Sequence, residues 1–211
     1  MAKLLVIGAS RGIGLETVKA ALLAGHSVRA FGGKHTHPKY EPGEGIRRCP
    51  RYRHDSERTQ KFNVVVQTLG VDISPRAIFE RTTLFSQSTR ILVDAMKAAG
   101  VKRLLAVTGL GAGDSRGHGG FLYDTLAFPL LLKRVYDDKD VQESIIKSSG
   151  LDWTIVRPGL LTNRPATGHY RVLIAPNEWR FGVISRADVA DFIVRQIDDR
   201  AQIGTTPLLI S

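Results

Sequence analysis

Three glycines near the start of the chain are the residues whose type and spacing point most directly to a ligand. Gly8, Gly12 and Gly14 form the pattern Gly-x-x-x-Gly-x-Gly between the apolar run 3–7 and a helical pattern over 13–24. Glycine permits a tight turn and a close approach of the backbone to a pyrophosphate, and the following helix offers its first N–H groups to the phosphates. The pattern therefore predicts a dinucleotide-binding turn, and the alternative is an ordinary strand-to-helix loop.

The residues within and near this turn bear on which nucleotide would bind. Ser10 and Arg11 lie inside the turn, and a guanidinium at position 11 can bind an adenosine 2′-phosphate through two parallel hydrogen bonds. A cofactor with a free 2′-hydroxyl usually meets Asp or Glu at the end of the second strand, but residues 31–33 are Phe-Gly-Gly and Lys34 follows. These residues favour NADP(H) over NAD(H). The alternative for Arg11 is a solvated surface charge.

Strand and helix patterns alternate along the whole chain. We predict helices over 13–24, 83–99, 131–149 and 185–197, with Ser185 as the N-cap of the last one. This alternation predicts one domain over residues 1–211 with an α/β fold, a single doubly wound parallel sheet of the Rossmann-like type with helices on both faces. The predicted strands cover 3–7, 26–31, 63–69, 102–108, 152–157, 169–174 and 206–210.

Composition limits the function classes. The 211 residues are 43% hydrophobic and 24% charged, which is typical of a globular domain. There is no charged-then-apolar leader and no run of about 18 apolar residues, so we expect neither a signal peptide nor a membrane span, and no membrane partner. The single cysteine, Cys49, excludes an internal disulfide and a cysteine-based metal cluster, and favours a cytoplasmic location.

The net charge of +10 raises the possibility of nucleic-acid binding. No basic strand interleaved with aromatic residues and no basic recognition helix accompanies the charge, which argues against that function. A basic surface also attracts a polyanionic cofactor.

Two separated motifs resemble one protein superfamily. The turn 8–14 (Gly-Ala-Ser-Arg-Gly-Ile-Gly) and the segment 154–159 (Thr-Ile-Val-Arg-Pro-Gly) resemble the short-chain dehydrogenase/reductase superfamily. More narrowly, the chain is similar to the atypical NAD(P)H-binding branch, which includes the biliverdin-IXβ/flavin reductases and redox-sensing regulators. The resemblance covers 1–31 and 63–211, and further matching segments are 65–70, 107–109, 139–143, 149–154 and 184–190.

The resemblance implies a set of cofactor contacts at the carboxyl ends of the strands, where open α/β sheets bind ligands. It assigns the glycine turn to the pyrophosphate, the turn 69–70 to the adenosine-side ribose, and residues 108–109 and 158–160 to the nicotinamide. The implied contacts are Gly8, Ser10, Arg11, Gly12, Ile13, Gly14, Leu69, Gly70, Thr108, Gly109, Lys139, Pro158, Gly159 and Leu160.

The catalytic pattern of the better-known members is incomplete. Those members use Ser, Tyr and Lys, and the Tyr-x-x-x-Lys spacing lowers the pKa of the phenol. Here Lys139 matches the lysine position and Thr108 the serine position, but Val135 stands where the tyrosine would be. Tyr136 lies three residues before Lys139, a spacing that still shares a helix face. The catalytic residues we expect are Thr108, Tyr123 and Lys139.

Hydride donation does not require the missing tyrosine. A flavin, a quinone or a similar planar acceptor can take a hydride while solvent supplies the proton, so orientation and water exclusion matter most. The aromatic residues that could form a wall over the nicotinamide, or belong to the core instead, are Phe121, Tyr123, Phe128 and Trp179.

Other roles stay open. His118 could donate a proton, or be a loop histidine. Glu143 and Asp188 are interpreted as helix-surface or structural partners. The leading hypothesis is an NADP(H)-dependent reductase of a planar small molecule. The alternative is a non-catalytic NADP(H)-binding redox sensor that binds a protein partner.

The basic segment 34–61 departs from the pattern of the rest of the chain. It holds eight Lys/Arg and four Asp/Glu and shows no helical or strand periodicity, and a structureless loop of this length is unusual in a compact domain. Two interpretations stay open. The segment is a divergent loop, or it is a compensated frameshift: a back-translation of residues 47–51, read one nucleotide later, permits Gly-Asp-Ala-Leu-Asp, a pattern typical of the family that the chain resembles.

Overall fold

The described residues form an eight-stranded sheet with helices packed on both of its faces. The computed structural model describes residues 1–32, 62–70, 83–117 and 134–211 in full, and residues 35–40 and 133 by their backbone alone. The strands of these residues are β1 (Lys3–Ile7), β2 (Ser27–Gly32), β3 (His35–Tyr40), β4 (Val64–Gln67), β5 (Arg103–Val107), β6 (Asp152–Pro158), β7 (Leu160–Thr162), β8 (Arg171–Leu173), β9 (Val183–Ser185) and β10 (Leu208–Ile210).

The strand order in the sheet is β3-β2-β1-β4-β5-β6-β10-β8. The six inner strands run parallel, which confirms the predicted doubly wound α/β sheet. The edges differ from the prediction, because β3 and β8 each pair antiparallel with their neighbours. The strand β3 also lies in the segment that showed no periodicity. Strands β7 and β9 form a separate two-stranded parallel sheet.

In the part of the chain that the structure describes, four α-helices cover the two faces of the sheet. They are α1 (Gly12–Leu23), α2 (Leu84–Ala99), α3 (Lys133–Lys147) and α4 (Arg186–Arg195). Helices α1 and α4 pack together over one face, and α2 and α3 pack together over the other. Because both faces are covered, every residue of β4 and β5 is buried, as expected for inner strands of a parallel sheet.

The start of α4 follows the predicted capping pattern. Ser185 has an extended backbone, and its Oγ accepts a hydrogen bond of 2.9 Å from the backbone N–H of Asp188. This bond satisfies one of the amide groups that a helix leaves free in its first turn, so the predicted N-cap is confirmed. Of the helices that the structure describes, none is long and apolar enough to cross a membrane.

Candidate functional site

The glycine turn between β1 and α1 has a backbone path that side chains would block. Gly8 has a φ of +89°, and a Cβ at this position would lie 2.5 Å from the carbonyl oxygen of Thr68, just beyond β4. A Cβ on Gly14 would overlap the carbonyl oxygen of Gly8. The N–H groups of Gly8 and Ala9 both donate to the carbonyl of Phe31, at 2.8 and 3.1 Å. The turn is therefore held closely against β2 and β4.

The glycine turn (residues 8–14), which we call the glycine cradle, runs directly into the first turn of α1. Arg11 precedes the helix in an extended conformation (φ −163°, ψ 175°), and its side chain forms no capping bond to the first turn. The first turn, which is fully described, contains no acidic residue. Helix N-termini of this kind carry a partial positive charge and amide groups that bind anions. The geometry thus suits a phosphate group.

A residue that the sequence interpretation did not select reaches the same turn. A Cβ built on Gly12 would lie 3.8 Å from Nε of Arg186, the first residue of α4. Nη1 of Arg186 donates a 2.7 Å hydrogen bond to Oδ1 of Asn163, which follows β7. The contact exists because α1 and α4 pack side by side, an arrangement that no local motif in the sequence indicates.

The predicted contacts after β4, β5 and β6 lie at one edge of the sheet, because these strands are parallel neighbours. The backbone N–H of Thr108 donates to Val156 of β6, and that of Leu110 donates to Pro158. The predicted residues differ in exposure: Ser10, Arg11, Gly70 and Leu160 are exposed; Gly8, Gly12, Leu69, Lys139 and Gly159 are half-buried; Ile13, Gly14, Thr108, Gly109 and Pro158 are buried.

Thr108 is bonded to α3 through two of its oxygen atoms. Its Oγ1 donates a 2.8 Å hydrogen bond to Oε1 of Glu143, and its carbonyl oxygen accepts a hydrogen bond from Nζ of Lys139. The Lys139 ammonium also lies 5.1 Å from the ring centre of Phe85 and 5.4 Å from that of Tyr136. Thr108 and Lys139 are thus in direct contact through the backbone carbonyl of Thr108.

Tyr136 stands beside this pair. A Cβ on Gly109 would lie 2.7 Å from the phenol oxygen of Tyr136, so the phenol packs against the backbone that follows β5. Burial lowers the pKa of Lys139 to about 8, although the charge of Glu143 opposes the shift. A lysine with this pKa exchanges its proton near neutral pH. The three-residue spacing of Tyr136 and Lys139 was the signal in the sequence that brings a phenol here.

Glu143, which accepts the hydrogen bond of Thr108, also forms a buried ion pair with Arg157. Oε2 of Glu143 accepts a 2.5 Å hydrogen bond from Nη2 of Arg157, whose Nε donates to Oε1 at 3.0 Å. The side chains of Glu143 and Arg157 are 2% and 0% exposed. Arg157 also bonds to Asp114 at 2.5 Å and lies 5.0 Å from the ring centre of Trp179. Burial acts to lower the pKa of Arg157, but the hydrogen bonds and charges of Glu143 and Asp114 outweigh it and raise that pKa.

Several interpretations of single residues can be compared with these positions. Glu143 is a structural partner, as one interpretation held, but it is buried and not on a helix surface. Asp188 is also structural, since its carboxylate accepts from Ser185 and from the backbone N–H groups of Thr167 and Gly168.

Trp179 belongs to the core, which was the second of its two interpretations. It is 5% exposed and its Nε1 donates to the carbonyl of Leu173. The other proposed wall residues and the histidine, namely His118, Phe121, Tyr123 and Phe128, lie outside the described residues, as does most of the segment 34–61.

Comparison with known proteins gives one family. The family model described as NAD(P)H-binding matches residues 8–200. A curated relative, the "Uncharacterized sugar epimerase YhfK" of Bacillus subtilis, is 33% identical over 108 residues, which are 51% of this chain and 44% of the relative. The chain therefore spans less than half the length of that relative.

Solved structures share the fold over the whole chain. The anaerobillin reductase ChuY from Escherichia coli O157:H7 is 22% identical with a TM-score of 0.69, over 99% of this chain and 96% of that one. SP1627 from Streptococcus pneumoniae TIGR4, a candidate NADH-flavin reductase, is 23% identical with a TM-score of 0.70, over 100% of both chains. At such identities the likeness establishes the fold.

Proposed function

The chain belongs to the NAD(P)H-binding family, and from this premise we propose that it is an NADP(H)-dependent oxidoreductase that transfers a hydride to a flavin, a quinone or a similar planar acceptor. The observation that carries the proposal is the glycine cradle. Its backbone leaves no room for a Cβ at Gly8 or Gly14, and it faces the uncapped first turn of α1. Such a cradle fits the diphosphate of a nicotinamide nucleotide.

Different residues of the chain would contact different parts of the cofactor. Gly8, Ser10, Gly12, Ile13 and Gly14 would hold the diphosphate. Arg11 would take the 2′-phosphate of NADP(H), since a guanidinium binds a phosphate bidentately. The ribose would lie at Leu69 and Gly70, and the nicotinamide at Thr108–Gly109 and Pro158–Leu160. When bound, the nicotinamide supplies a hydride.

The acceptor would approach the same edge of the sheet. Leu160 of β7 pairs in register with Val183 of β9, and both side chains are exposed although they are apolar. Phe181, two residues before Val183, is 44% exposed. These three residues offer an apolar ledge next to Gly159. An apolar ledge beside a nicotinamide favours a planar, poorly hydrated acceptor over a small polar one.

The catalytic roles follow from the contacts of each group. The hydroxyl proton of Thr108 is donated to Glu143, so we assign Thr108 to holding the site's geometry. Lys139, whose pKa burial lowers to about 8, would hold a proton beside the reacting edge. For Tyr123, which lies outside the described residues, we propose from the sequence a catalytic role or a place in the aromatic wall over the nicotinamide.

The experiment is a binding and turnover assay with a matched charge control. Arg11→Ala should weaken NADPH binding by about 1–3 kcal/mol and leave NADH binding nearly unchanged, because only NADPH carries the 2′-phosphate. Arg90→Ala removes an exposed charge from α2 and should change neither affinity. NADPH oxidation is then followed with a panel of flavins and quinones. A purified protein that binds neither nucleotide would refute the proposal.

The same assay distinguishes a redox sensor from a reductase. The missing Tyr-x-x-x-Lys pattern favours a protein that binds the nucleotide without using it. Tight NADPH binding without oxidation by any acceptor of the panel would support the sensor and overturn the reductase.

A further inference from the structure

The guanidinium of Arg186 lies close to the glycine turn and to the start of α1. It lies over the first turn of α1, 3.8 Å from the position that a Gly12 Cβ would take. Arg186 is itself the first residue of α4. The side chain is therefore close to the N-termini of two helices, each of which carries a partial positive charge.

Among the described residues, Arg186 forms no ion pair with a carboxylate, and its side-chain hydrogen bond is to Asn163. The first turn of α1 has no acidic residue, and the first turn of α4 contains Asp188. The Asp188 carboxylate is occupied by Ser185 and by the backbone of Thr167 and Gly168, at 2.7 to 2.9 Å. The hydrogen bond of Arg186 to Asn163 involves a neutral amide oxygen. An anionic group between the two helix N-termini would provide a counter-charge to the guanidinium.

We propose that Arg186 is a diphosphate-binding residue, whose guanidinium is oriented by Asn163 and reaches a dinucleotide held at the glycine turn from the α4 side. The inference rests on the proposed function, because it requires a nicotinamide nucleotide in the cradle. Arg186 differs from Arg11 in what it recognises. A residue at the diphosphate interacts with a group that NADPH and NADH share, whereas a residue at the 2′-phosphate distinguishes them.

The simpler role for Arg186 would be structural, since its bond to Asn163 ties the segment after β7 to α4. The two roles predict different results for the conservative variant. A diphosphate contact tolerates lysine in part, because the charge remains while the planar two-donor geometry is lost. A purely structural tie would show itself in the melting temperature, and nucleotide affinity would change only as far as folding does.

The test measures the affinity of the full chain for NADPH, NADH and ADP-ribose, which all contain the diphosphate. Arg186→Gln should weaken all three by a similar factor, roughly 10- to 100-fold, with Arg186→Lys in between. Arg180→Gln, which removes an exposed charge from the loop before β9, is the matched control and should leave all three unchanged. Asn163→Ala should weaken the affinity for each of the three ligands by a smaller factor, which should be the same for all three.

Each contrary result has a distinct meaning. Unchanged affinities in a folded Arg186→Gln variant of a protein that binds NADPH would overturn the inference and leave the proposed function intact. A loss limited to NADPH would place Arg186 at the 2′-phosphate and also overturn it. If the wild-type chain binds none of the three ligands, the proposed function fails first and the inference fails with it.

Discussion

Removing the charge of Glu143 should destabilise the fold by an amount that the buried ion pair sets. In Glu143→Gln the Arg157 guanidinium keeps its place but loses the carboxylate that contacts both Nε and Nη2. Nη1 of Arg157 already has no hydrogen-bond partner among the described residues, and Asp114, the remaining carboxylate, has a side chain that is 58% exposed. The guanidinium is then left with one partly solvated counter-charge.

The expected loss can be estimated from these positions. Breaking a fully buried pair by removing one partner costs about 3–5 kcal/mol. The lower end applies, because the glutamine oxygen still accepts a hydrogen bond and Asp114 stays in place. A loss of about 3 kcal/mol corresponds to a fall in melting temperature of about 6–12 °C for a chain of this size.

The assay is thermal and urea unfolding of the wild type, Glu143→Gln and two controls. Glu16→Gln breaks the more exposed pair with Lys19 and should cost less than about 1 kcal/mol. Glu143→Gln combined with Arg157→Met removes both charges and should be less destabilised than the sum of its single variants, because a buried pair is often worth no more than apolar packing. A Glu143→Gln variant as stable as Glu16→Gln, or strictly additive single variants, would refute the reasoning.

Three further predictions concern substitutions of single residues. We expect the turnover of the wild type to fall above pH 8, because Lys139, whose pKa is about 8, loses its proton there, and Lys139→Met should remove this fall; the pH profile of kcat checks this. Gly8→Ala should abolish NADPH binding and lower the melting temperature, since the new Cβ would lie 2.5 Å from the Thr68 carbonyl and φ is +89°; calorimetry and thermal unfolding measure both effects. Asp188→Asn should cost about 1–3 kcal/mol at neutral pH. Hydrogen bonds to Asp188 lower its pKa against the effect of burial, so this contribution is present above pH of about 4 and is lost as pH falls further; unfolding at pH 7 and pH 3 should show the difference shrink.

The inner sheet could be predicted from the sequence because its strands are continuous apolar runs. The run 64–66, three valines, is buried on both faces and corresponds to an unbroken β pattern. The edge strand β3 could not be predicted in this way. It has Pro38 and polar residues, which an edge strand tolerates, since one side of β3 has no partner strand among the described residues. Strands β7 and β9 have three residues each, too few to show a period.

The candidate site was predicted where one local motif contains it. The cradle follows from Gly8 to Gly14 because a tight turn and a close helix require glycine within a few residues. The buried pair of Glu143 and Arg157 joins α3 to the next strand, β6. Neither the helical pattern around Glu143 nor the strand pattern around Arg157 predicts that the two charges are in contact. Arg186 was missed for the same reason, because only the packing of α1 against α4 brings it to Gly12.

The contacts of Thr108 bear on the chemistry that this edge of the sheet can perform. Carbonyl reduction of the better-known type needs a hydroxyl that donates to the substrate oxygen, and Thr108 directs its proton to Glu143 instead. Its carbonyl oxygen holds the ammonium of Lys139, so both of its polar groups fix α3 against β5. For a residue engaged in this way we propose a positioning role and not proton transfer. An acceptor that takes up a hydride without a strong acid at the receiving atom, such as a flavin or a quinone, makes the smallest demand on this arrangement, and for that reason the bonding of Thr108 supports the same substrate class as the missing Tyr-x-x-x-Lys pattern.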